Sequence, residues 1–260
     1  MMNQDIIDKA ESLLEEGQLS AAVALLKQGC EQYPGDDEIL VLYCEALSGS
    51  GQGAKAVKLL EKRAVEQPVP ADVLFALGDE YFELGQSAQA TECYRKLIQN
   101  AEAAAEAWVR LGLLQVADGM YEKAEECFHN ALKIDDSCQT AANSLGDLFC
   151  EQGLLQQAKN WYQRALELDP EDVEALSNLA ELLYEQGDLE QAESLVRKAI
   201  QLDNRFAPAW VTLGYLSLDL DQEQESCRCF ETFLRLEKSS AAADLITEIT
   251  AVVKGLKGLE

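Results

Sequence analysis

Apolar residues along this chain recur with the period of an amphipathic helix, in short runs punctuated by glycine. Residues 173–186 place Leu176, Leu179, Ala180 and Leu183 on one face, and Gly187 then ends the run. A second run begins near Leu189 and keeps Ala192, Leu195, Val196, Ala199 and Ile200 together on one face. This pattern predicts two short helices joined by a tight glycine turn. Ala, Leu, Glu and Gln dominate and β-branched residues are sparse, which favours helix throughout.

The same pattern returns every 34 residues. Gly78, Gly112, Gly146 and Gly214 stand in one register, with Ala180 at the missing step and Cys44 and Ala10 further back. Twelve residues on runs a ladder of Ala22, Ala56, Ala90, Ala124, Ala158, Ala192 and Ser226. Between them lies Gly17, Gly51, Gly85, Gly119, Gly153 and Gly187, broken at Asp221. Seven units therefore tile the chain, at 3–36, 37–70, 71–104, 105–138, 139–172, 173–206 and 207–240. The small residues predict close backbone approach, so Ala158→Leu should overpack and cost about 1–3 kcal/mol. Pro34, Pro68 and Pro170 mark breaks between units. Residues 241–260 place Leu245, Ile246, Ile249, Val252, Val253 and Leu256 on one face, predicting a fifteenth, capping helix. Gly255, Gly258 and Leu259 predict that its end frays.

Residues 105–138 carry Trp108, Leu111-Gly112, Gly119, Ala124, Phe128 and Ala131. Residues 139–172 add Leu145-Gly146, Phe149, Gly153, Ala158, Tyr162, Ala165 and Pro170. In these positions the chain resembles the tetratricopeptide-repeat family. The resemblance implies an all-α, right-handed α-solenoid superhelix of seven helix-turn-helix repeats plus a C-terminal capping helix, as one domain over residues 1–260. It implies a concave face lined by the first helix of each repeat, and a non-catalytic role in binding other proteins. Three positions depart from the family's usual alanine: Gly29, Arg63 and Phe233. Atypical residues are expected at the ends of a stack, where one neighbour is missing.

Charge sharpens the expectation. The chain carries 47 acidic and 21 basic residues, a formal net charge of −26. It repels phosphate backbones and anionic lipid, so nucleic acid and membrane are poor partners and a basic protein or peptide a good one. The first fourteen residues of the seven units hold twenty Asp or Glu and two basic residues, Lys9 and Arg110. Acids recur at the ninth position (Glu11, Glu45, Asp79, Asp147, Glu181), the thirteenth (Glu15, Glu83, Glu151, Glu185, Asp219) and the second (Glu38, Asp72, Glu106, Glu174). These positions share one helix face. Phe75, Phe82, Val109, Leu113, Val116, Tyr184 and Tyr215 are interleaved with them.

Acids on an exposed face ordinarily serve solvation, but solubility does not require Lys and Arg to avoid one set of helices. The expectation is an acidic trough for a basic or amphipathic peptide. Exposed Lys–carboxylate pairs contribute only ~0.2–1 kcal/mol each, so the apolar residues must supply the anchor. The family's clamp for a chaperone's C-terminal carboxylate needs Lys, Arg and Asn in the first helices. Asn143 and Asn178 are present here almost without basic companions. The alternative is a self-associating scaffold, in which the more cationic second helices of one copy meet the acidic face of another.

Nothing points to chemistry. The single histidine, His129, reads as a surface residue of a second helix, and no phosphate loop, metalloprotease motif or catalytic triad is evident. Cys227 and Cys229 point in different directions on a helix, a poor geometry for one metal ion. No cofactor or metal is therefore expected. The N-terminal MMNQDIIDKAESLLEEG lacks the features of a signal peptide, and no apolar stretch reaches spanning length. With eight cysteines scattered through helical segments, the expected address is cytoplasmic.

Overall fold

The computed structural model describes residues 3–66, 68–99, 104–239 and 242–258, and the regular elements among them are all α-helices. The chain forms two compact units, Met1–Asp136 and Ser137–Glu260. The first contains α1 (Gln4–Glu15), α2 (Leu19–Gln32), α3 (Asp37–Gly49), α4 (Gly53–Ala64), α5 (Ala71–Glu83), α6 (Ser87–Ile98), α7 (Ala104–Ala117) and α8 (Tyr121–Ile134). The second contains α9 (Gln139–Glu151), α10 (Leu155–Leu168), α11 (Val173–Glu185), α12 (Leu189–Leu202), α13 (Ala207–Asp219), α14 (Glu223–Leu236) and α15 (Ala243–Leu256).

The turns follow from backbone sterics. After α11, Gly187 takes φ 80°, and the Asp188 N–H closes back onto the Leu183 carbonyl at 2.9 Å. Asp188 then starts α12, its carboxylate accepting the Gln191 N–H at 3.3 Å. At the one step where the ladder lacks glycine, Asp221 itself adopts φ 57°. Aspartate is among the few side chains that enter this left-handed region at modest cost.

In each unit, helices adjacent in the chain pack together, and odd-numbered helices also stack: α1 on α3 on α5, and α9 on α11 on α13. The small-residue ladder explains how close the paired helices come. A Cβ built on Gly78, Gly112, Gly146 or Gly214 would lie 2.6, 2.5, 2.3 or 2.4 Å from a ring carbon of Tyr94, Phe128, Tyr162 or Phe230. At the step between Gly146 and Gly214 the register holds Ala180 with Val196, both fully buried. Glycine thus appears where an aromatic ring crosses, and a larger residue suffices where the partner is aliphatic. Ala10 with Leu26 and Cys44 with Leu60 keep the same rule.

The three departures from alanine each answer a local neighbour. A Cβ on Gly29 would meet Ile39 at 3.0 Å and Ile6 at 3.2 Å. Arg63 reaches Asp37 through two hydrogen bonds, at 2.6 and 2.9 Å. Phe233 is buried with Phe230 against Ile249 and Val253 of α15, which packs on α14 as a cap. Here no further repeat helix demands a small residue. The predicted capping helix over 241–260 is observed from Ala243, and its expected frayed end at Leu259 lies outside the described residues.

Candidate protein-binding site

In the second unit, α9 and α11 bring four of the expected acidic residues, Asp147, Glu151, Glu181 and Glu185, around one cavity of about 250 Å³. The periodicity causes this. Asp147 and Glu151 are one helical turn apart on α9, as are Glu181 and Glu185 on α11, and the two helices stack. Asn178, Tyr162, Cys150 and Leu182 complete the lining.

Asp147 is the most constrained member. Its Oδ1 accepts from the Tyr162 hydroxyl at 2.7 Å and from the Asn178 amide at 2.8 Å. Burial nevertheless pushes its carboxyl up to about 6, with repulsion from Glu174 and Glu151 adding to burial and the two hydrogen bonds opposing it. Although Glu181 is an exposed residue, loss of hydration inside the cavity also raises its carboxyl above the usual range, and Glu185 adds to the effect. Glu174 is raised in the same way, first by burial and then by Asp172. Among the described residues, Glu151, Glu181 and Glu185 make no hydrogen bond or ion pair. The cavity concentrates negative charge without an internal cation.

The remaining expected residues fall elsewhere. Tyr184 donates its hydroxyl to Asp219 at 2.8 Å, and Tyr215 donates to Glu248 at 2.9 Å. Both rings are half-buried, and Tyr215 stands edge-on to Phe230 with centroids 5.0 Å apart. In the first unit, Glu45 and Glu83 are exposed, while Asp79 accepts the Tyr94 hydroxyl at 2.7 Å and faces Arg110 at 3.6 Å. Phe75 and Phe82 are half-buried against the unit's core. Leu113 is 37% exposed, and Val116 is half-buried. Val109 corrects the expectation: it is 3% exposed and offers no contact surface, whereas Phe75, 34 residues earlier at the same register position, is half-buried.

The register also divides the ninth-position acids into two kinds. Where the aromatic crossing the glycine is Tyr94 or Tyr162, the ninth residue is aspartate and takes the hydroxyl. Where it is Phe128 or Phe230, the ninth residue is Leu113 or Tyr215. Glu45 and Glu181 face aliphatic Leu60 and Val196 in the register and keep their carboxylates uncommitted. Periodicity alone does not separate these roles; pairing each ninth residue with the aromatic fifteen positions later does.

The expected surface histidine, His129, is partly exposed and lies 3.7 Å from Glu125 of its own helix. Among the described residues no helix is long and apolar enough to cross a membrane.

Comparisons with known proteins agree with the architecture. Residues 102–228 match the model of the MalT-like TPR region, and residues 13–80 and 71–103 match tetratricopeptide-repeat models. No curated protein matches the chain in sequence. A tetratricopeptide repeat protein from Parabacteroides merdae is similar in structure, with a TM-score of 0.66 at 18% identity, covering 98% of both chains. A chain of the APC/C hetero-tetramer Cut9–Hcn1 gives 0.68 at 19% identity over 96% of this chain and 50% of its own. Yeast Tom70 gives 0.71 at 15% identity over 92% of this chain and 58% of its own. This chain thus spans about half the length of the latter two. At these identities the structural likeness speaks for the fold alone, and the family models add the sequence signature. With helix pairs, glycine turns and small-residue crossings all in one 34-residue register, the chain belongs to the tetratricopeptide-repeat family, whose repeats form protein–protein interaction modules.

Proposed function

We propose that this protein is a non-catalytic adaptor that captures a basic or amphipathic protein segment on the acidic face of its odd-numbered helices. The α9–α11 cavity receives a lysine or arginine side chain. The observation that carries this reading is the set of Glu151, Glu181 and Glu185 gathered with desolvated Asp147 and provided with no cation of their own. Holding like charges together is unfavourable, and a ligand cation relieves that repulsion on binding. Tyr184, on the same helix α11, supplies apolar contact there; within the first unit, taken by itself, Phe75, Phe82, Leu113 and Val116 offer apolar contact beside that unit's own acids. Charge pairs of ~0.2–1 kcal/mol each fall short of the roughly 8 kcal/mol that micromolar affinity requires. The eight free cysteines and the charge suit a reducing, cytoplasmic setting and a protein partner in preference to nucleic acid.

The test is fluorescence anisotropy with a labelled peptide of repeating Lys-Leu-Leu-Lys units, on wild type and on Glu181→Gln/Glu185→Gln. The reading expects saturable, salt-sensitive binding that the folded variant weakens about tenfold, near 1.4 kcal/mol. Equal binding by both proteins would sink it and leave the acids as a solvated surface.

A further inference from the structure

The two units contain one constellation twice, with a change of chemistry at its centre. In the first unit Asp79 of α5 accepts the Tyr94 hydroxyl at 2.7 Å, and Arg110 reaches back to it from α7. One guanidinium nitrogen of Arg110 lies 3.6 Å from Asp79 and 3.5 Å from Glu106. Two repeats later the register holds Asp147, Tyr162 and Glu174 in place of Asp79, Tyr94 and Glu106. Tyr162 again donates to the aspartate, but Asn178 stands where Arg110 stood, and its amide reaches Asp147 at 2.8 Å.

An amide satisfies an oxygen without cancelling its charge. Arg110 gives the first unit's two acids a counter-charge. Asp147 and Glu174 repel one another instead, and neither is paired with a cation among the described residues. The difference continues along the helix. Leu113 and Ala117 of α7 correspond to Glu181 and Glu185 of α11, so the unit without the arginine carries the additional carboxylates. The first unit thus contains an occupant for its acid pair, and the second contains the pair alone.

We propose that the sixth residue of the following repeat decides how the ninth-position aspartate is neutralised, and that the ligand side chain taken at α9–α11 is an arginine. Its guanidinium stands between Asp147 and Glu174, on the Asn178 side of the cavity, as that of Arg110 stands between Asp79 and Glu106. This rests on the reading of α9–α11 as a cation-binding face. Asn178 is then the specificity-determining residue: short and neutral, it positions Asp147 and leaves the counter-charge to the partner. A guanidinium suits carboxylates on neighbouring helices because it presents several N–H donors in one plane, whereas an ammonium group is a point charge.

The probes are labelled peptides of repeating Arg-Leu-Leu-Arg and Lys-Leu-Leu-Lys units, read by anisotropy, with circular dichroism confirming that each variant is folded. The arginine peptide should bind wild type about threefold or more tighter than the lysine peptide. Asn178→Arg, which copies Arg110, should weaken the arginine peptide about tenfold or more, and Asn178→Leu less than about threefold. Without any peptide, Asn178→Arg should also flatten the change of stability between about pH 4 and pH 6, since an internal guanidinium keeps Asp147 ionised. Equal affinity for the two peptides, full binding by Asn178→Arg, or an equal loss in Asn178→Leu would overturn the proposal and leave the cation-binding reading standing. Binding that Glu181→Gln/Glu185→Gln leaves unchanged would overturn that reading, and this proposal with it.

Discussion

Gly146 and Tyr162 are complementary: the absence of a side chain on Gly146 is the space that the tyrosine ring fills. A Cβ there would lie 2.3 Å from Tyr162 Cε1, and the ring so placed delivers its hydroxyl to Asp147 Oδ1 at 2.7 Å. One missing methyl group therefore links helix packing to the floor of the acidic cavity.

Gly146→Ala should destabilise the second unit by about 1–3 kcal/mol, although alanine is the better helix former. In a Tyr162→Val background, which copies the Ala180–Val196 pairing, the same change should cost little or stabilise. Urea midpoints of the two single variants and the double variant measure the coupling. Additive effects would show that the ring and the glycine are not in conflict.

Asp221 is the only non-glycine residue with positive φ among the described residues, and it stands in the glycine ladder. Asp221→Gly should raise stability by about 0.5–1 kcal/mol by relieving the left-handed backbone. Asp221→Val, β-branched at the same φ, should lower it. Thermal melts of the three proteins decide the order.

The pH dependence has a definite sign. The folded protein holds Asp147 protonated up to about 6, against an ordinary value of 3.8, so between these values the native state binds a proton that the unfolded chain does not. Stability from this group is fully present below about pH 4 and is lost as pH rises through about 6. Asp147→Asn should flatten that fall while keeping an oxygen acceptor for the Tyr162 hydroxyl. Chemical denaturation at a series of pH values measures the slope in both proteins.

Binding of a cationic peptide should move the opposite way. Its affinity at the α9–α11 cavity should increase as pH rises through about 6, because the ligand prefers ionised Asp147, and binding should release protons. Anisotropy titrations at pH 5 and pH 7.5 test this, with Asp147→Asn expected to show a smaller pH response, the remainder coming from Glu181.

Phe233→Ala should cost about 3–5 kcal/mol, by opening a cavity under the cap. Hydrogen exchange should show α15 losing protection before α9 to α12, since each helix pair depends chiefly on its neighbours. Uniform loss across the unit would contradict that local dependence.

The helices and turns were legible in the sequence because a 34-residue period repeats the same steric demands: small residues where helices cross, glycine where φ must be positive. Roles inside the acidic ladder were legible only in part. Glu181 and Asp147 look alike at the ninth position, yet Tyr162 claims one and no aromatic claims the other. Val109 and Phe75 share one register position, yet Val109 is buried and Phe75 is half-buried, a difference that the period along the chain does not record.

By itself the sequence determined the local structure and the bias of acidic residues toward the first helices, since both depend on periodicity along one chain. Tertiary structure decided which of those acids are held by hydroxyls and amides and which remain open around a cavity. Those outcomes depend on residues brought together from different helices, such as Asn178 reaching Asp147 from α11. Hydration, repulsion and pKa change with such neighbours, and a period along the chain carries no record of them.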